Sequence, residues 1–128
     1  MQSSNPADWV TYAERDHQAM LLLLSERERF APQVLFFAQQ SAEKYMKAVL
    51  VSHKCEPPFT HDLLKLIREL EPRHPEATTL AQCSSRLNND YIYSRYPVGA
   101  SSHPDVEQAV EDCKQVRAFC RNLLEPYL

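Results

Sequence analysis

The chain has 128 residues, of which 44% are hydrophobic and 24% charged, enough for one domain that buries roughly two thirds of the surface its unfolded form exposes. A single glycine excludes a Gly-rich phosphate loop and disfavours tight-turned strand folds, and a net charge of −3 excludes a surface covered in phosphate-binding cations. No run of 18 apolar residues spans a membrane, and the N-terminus lacks the basic and apolar parts of a secretory signal. A reducing, cytoplasmic setting with four free thiols is the expectation.

The first helix is predicted to open with Asn5 as its cap and Pro6 in its first turn, and to run to about Glu26. Its inward side is read as Trp9, Tyr12, Ala13, Met20 and Leu24. A charged link, ERERF, leads to Pro32 and the central element, Val34 to Val51. There Leu35, Ala38, Ala42, Tyr45 and Val49 share one face, and the small alanines admit a close neighbour. Phe36, Phe37 and Met46 widen that stripe beyond one partner helix, while Gln40, Glu43, Lys44 and Lys47 make an opposite, solvated polar face. Pro57 and Pro58 stop the helix near Lys54.

Thr60 is the expected cap of a short third helix carrying Leu63, Leu64, Leu66, Ile67 and Leu70, with His61 in a local structural role. A fourth helix is predicted from about Pro75 to Tyr96, with Leu80, Cys83, Leu87 and Tyr91 inward, and Pro97 sets its end. The last helix opens at Pro104 with Asp105 and Glu107 in its first turn, where acids suit the helix dipole. Its stripe of Val106, Ala109, Val110, Cys113, Val116, Cys120, Leu123 and Leu124 is the cleanest in the chain. Five helices, short links and no strand signal give an all-α, antiparallel helical bundle.

Arg95 is the candidate phosphate ligand, because its planar fork grips two oxygens at once. Tyr91, one turn earlier, and the adjacent Tyr96 suit stacking on a base. Lys44 and Lys47 are further candidates for positive charge in a cleft. His53, Cys55 and His61 lie close in sequence, but with no C-x-x-C or helical H-x-x-x-H they make no metal site, and no cofactor motif is present.

Two stretches carry a resemblance when taken together. FAQQSAEKYMKAVL is followed by THDLLKLIREL, and DYIYSRYP is followed by a polar link and a terminal helix. In this order and at this length the chain, from Asp8 to Leu124, resembles the HEPN family (higher eukaryotes and prokaryotes nucleotide-binding domain) in its small stand-alone prokaryotic form. The resemblance implies a four- or five-helix up-and-down bundle that pairs as a homodimer, through faces of the central and last helices. It implies an accessory role near a nucleotide or RNA, beside a minimal nucleotidyltransferase in a toxin–antitoxin-like pair. It also implies an alternative, a metal-independent endoribonuclease. Arg95 would neutralise the phosphate and His103 move the 2′-hydroxyl proton across the dimer, although seven residues separate the two, more than the family's nuclease spacing. A purely structural dimeric interaction module is the third reading.

Overall fold

The computed structural model describes residues 2–97 and 104–128. Among them are five α-helices, α1 (Pro6–Leu24), α2 (Arg27–Ser52), α3 (Leu63–Leu70), α4 (Ala81–Arg95) and α5 (Val106–Leu123), with a 3₁₀ helix at Pro75–Leu80, another at Glu125–Tyr127, and no strand. The predicted all-α bundle is what the chain forms. No helix among the described residues is long and apolar enough to cross a membrane.

The second helix is the axis. It packs against α1, α3, α4 and α5, and most extensively against α1. Ala38 and Ala42 are fully buried, and the Ser41 hydroxyl donates to the Ala13 carbonyl of α1 at 3.0 Å, a contact that small side chains permit. Because Val34 to Val51 is covered on nearly every side, the central helix offers little free surface for pairing two copies. The exposed large apolar side chains include Ile92 and Tyr96 at the end of α4.

Several ends differ from the sequence reading. Helical structure begins at Arg27, not at Pro32, but breaks at Phe30 (φ −123°, ψ 26°), so Pro32 falls in the first turn of a fresh segment, where its missing N–H costs nothing. The exit is set by Lys54 in the left-handed region (φ 62°) rather than by the prolines. Its amide donates to the Val51 carbonyl and that of Cys55 to the Leu50 carbonyl, the double closure of a Schellman end. Asp62, not Thr60, caps α3, accepting from the Leu64 amide at 3.0 Å. The first six residues of the predicted fourth helix are the 3₁₀ turn, and α5 starts at Val106, two residues after Pro104, with Asp105 as its cap.

In α1, Asn5 caps as expected and accepts from the Ala7 amide at 3.0 Å. The buried stripe is Pro6, Val10, Ala13, His17 and Met20, which turns Tyr12 outward at 55% exposure. Trp9 and Leu24 are only partly buried. The α5 stripe is close to the prediction, with one addition, a buried Asp112 held by both nitrogens of the Arg86 fork at 2.9 and 2.8 Å. All four cysteines are free, and burial pushes the Cys113 thiol up to about 12, which leaves it protonated and inert.

Two histidines make the fold acid-sensitive. Burial, with Arg117 beside it, holds His17 below the usual imidazole range, and burial with His74 and Arg73 does the same to His53. Both are favoured as neutral rings in the folded chain, so their contribution is complete above about pH 6.5 and is lost as pH falls through the lowered folded values. Asp90, pushed up to about 6 by burial and by the nearby Asp112, runs in the opposite sense. The melting temperature is therefore expected to fall more steeply between pH 7 and 5 in the native chain than in His17→Gln. Equal slopes in the two proteins count against the assignment.

Candidate functional site

The polar positions of α2 do not face water. Gln39, Glu43 and Lys47 recur every fourth residue on a helix buried all round, and Glu43 and Lys47 are only 4% and 5% exposed. Of the polar face expected to be solvated, Glu43 and Lys47 are instead buried, because the segment leading into α3 lies over them: Gln39 Nε2 beside them donates to the His61 carbonyl at 2.8 Å. A buried ion pair holds only when its remaining oxygens and protons are satisfied. Here Lys47 Nζ donates to Glu43 Oε2 at 3.0 Å, while Oε1 meets His61 Nδ1 at 2.8 Å and takes longer contacts from Gln39 and Gln40.

His61 carries this buried charge pair to the surface. Its side chain is 61% exposed, and its ring stacks on Tyr91 of α4 with centroids 5.2 Å apart and planes 27° apart. Phe36 of α2 also stacks on Tyr91, at 6.0 Å and 24°. One turn further along α4, the exposed Arg95 guanidinium lies 5.8 Å from the centroid of the same ring. Such a contact fixes the plane of the guanidinium and leaves its edge N–H groups free to donate. Arg95 also sits in the last turn of α4, where the helix dipole favours a cation. Three elements thus converge on one tyrosine: an aromatic platform, an imidazole backed by a buried carboxylate, and a surface cation. The arrangement suits a planar group joined to an anion. Among the described residues no three His, Cys, Asp or Glu side chains converge to hold a metal ion.

A family model of the HEPN domain matches residues 6–123, nearly the whole chain. The chain belongs to the HEPN family. No curated protein and no solved structure matches it significantly. Membership points to a nucleotide- or RNA-related function for this HEPN domain.

The candidate residues are distributed as follows in this HEPN domain. Arg95 and Tyr91 lie together, one helical turn apart. Tyr96 follows as the extended C-cap of α4 and is 66% exposed. Lys44 is turned toward α1 and is paired with Asp16, and Lys47 is buried behind Glu43, so neither ammonium is free beside Arg95. His103 lies outside the described residues. Phe36, Glu43 and His61 join the corner, although the sequence reading has Phe36 widening the apolar stripe, Glu43 on the solvated face and His61 in a local structural role. The one usable signal was the Gln39–Glu43–Lys47 spacing, which puts three polar side chains four positions apart on one face of α2.

Proposed function

We propose that this HEPN domain binds a phosphate-bearing nucleotide or RNA at the Arg95 corner, without chemistry of its own. It works as an accessory protein to a minimal nucleotidyltransferase in a toxin–antitoxin-like pair, and as a homodimer. The observation that carries the ligand reading is the exposed Arg95 guanidinium held over Tyr91, which is itself stacked with His61 and Phe36. A guanidinium beside an aromatic platform is the pairing that takes phosphate and base together. Family membership supports the same class of ligand. Exposed Ile92 and Tyr96, next to the corner on α4, are apolar surface suited to a second copy or a partner.

Charge-assisted hydrogen bonds to phosphate contribute about 1.5–3 kcal/mol each. Arg95→Ala is therefore expected to weaken binding of a short labelled RNA by about tenfold or more in an anisotropy titration, with the helical circular dichroism unchanged. An unaltered Kd in a folded Arg95→Ala protein removes the role. Tyr96→Ala, which leaves the Tyr91 stack in place, should weaken binding less.

A further inference from the structure

The hydrogen bond between Glu43 and His61 fixes more than the position of a ring. A carboxylate oxygen only accepts, so the 2.8 Å contact from His61 Nδ1 to Glu43 Oε1 puts the proton of the neutral imidazole on Nδ1. Nε2 then carries a lone pair. It lies across the ring from the buried carboxylate, on a side chain that is 61% exposed, and it has no hydrogen bond among the described residues. The buried end of this relay is anchored by Lys47 and by Gln39, which also holds the His61 carbonyl, so the ring is pinned through both its side chain and its backbone. Stacking on Tyr91 sets its plane. The neutral ring thus offers an acceptor on an exposed side chain that shares the Tyr91 ring with the Arg95 guanidinium, at 5.2 and 5.8 Å from that ring's centroid.

A phosphate has no hydrogen to give such an acceptor. A ribose does: its 2′-hydroxyl is a donor on the carbon next to the one that bears the 3′-phosphate, whereas deoxyribose presents only a methylene there. Resting on the phosphate-binding reading of Arg95, we infer that His61 is the sugar-reading residue of this corner, accepting from a ribose 2′-hydroxyl while Arg95 holds the neighbouring phosphate. The ligand class is then ribonucleotide or RNA, not DNA. Glu43 is a positioning residue that acts through the tautomer it imposes.

The test uses three labelled uridine-type oligonucleotides of one length in EDTA, with ribose, 2′-deoxyribose or 2′-O-methylribose. The methylated sugar keeps a ribose-like pucker but has no O–H to donate. The native protein is expected to bind the ribose oligomer about three- to tenfold more tightly than either of the others, the range set by one neutral hydrogen bond. His61→Phe retains an aromatic ring on Tyr91 but lacks the lone pair, and should bind all three alike, at the deoxyribose affinity. Arg95→Ala should weaken all three by one factor. Equal native affinity for ribose and deoxyribose overturns the sugar-reading role while leaving the Arg95 reading intact. So does tight binding of the methylated oligomer, which would trace the preference to pucker. Absence of binding by any of the three overturns both. The native comparison of three sugars decides the matter even if His61→Phe does not fold.

Discussion

Glu43→Ala is expected to lower the unfolding free energy by about 3–5 kcal/mol, because it leaves a buried ammonium without its counter-charge. Lys47 is 5% exposed and its Nζ donates to Glu43 Oε2 at 3.0 Å. The same substitution releases His61 Nδ1 and removes an acceptor for Gln39. Against a total of about 5–15 kcal/mol for a domain of this kind, such a loss brings the protein near its unfolding threshold. Urea denaturation followed by circular dichroism checks it. The cause is separable: Glu43→Leu combined with Lys47→Met replaces the pair with apolar groups and should recover most of the loss, since an intact buried pair is itself worth little. A loss below about 1 kcal/mol in Glu43→Ala, the size typical of exposed pairs such as Arg27–Glu107, would mean that Lys47 reaches water.

Leu66→Ala should cost about 2–5 kcal/mol. The third helix has eight residues, too few to persist alone in water, and it is held to the bundle by Leu63, Leu66, Ile67 and Leu70, all buried. Removing the middle anchor opens a cavity at the junction with α2 and α4 and loosens the segment that carries His61. Thermal melts of Leu66→Ala beside Lys65→Ala, an exposed neighbour expected to stay within about 0.5 kcal/mol, give the comparison. The His61 ring resonances, shifted by the Tyr91 ring, should move toward free-histidine positions in the first variant and stay in the second.

The parts of this fold that could be read from the chain are those decided within one helix. The α5 stripe from Ala109 to Cys120 and the Asn5–Pro6 start of α1 depend on local spacing and local hydrogen bonds, and both were legible. Tyr12 is not on the inward side expected for it, because the buried stripe runs through Val10, Ala13, His17 and Met20; its ring lies outward under the Arg15 guanidinium, 5.2 Å from its centroid. Thr60 and Asp62 are both good caps, and the choice fell to Asp62 through a partner from α4, Asn88, which no local rule supplies. Lys54 takes a conformation that glycine adopts more readily, so the helix end carried no glycine signal. The site divides the same way. Tyr91 and Arg95 sit one turn apart and were legible as a pair, whereas Phe36, Glu43 and His61 reach them only through tertiary packing.

Asn88 has a consequence for how the molecule assembles. Its carbonyl oxygen accepts from the Leu63 amide at 3.0 Å and its amide donates to the Asp62 carboxylate at 2.9 Å, so the opening turn of the third helix is completed by a side chain that arrives 25 residues later. That turn has no full set of partners until the fourth helix has docked. The two segments should therefore open and close together, and the Leu63 amide should exchange its hydrogen with the kinetics of α4 rather than with those of a short fraying helix.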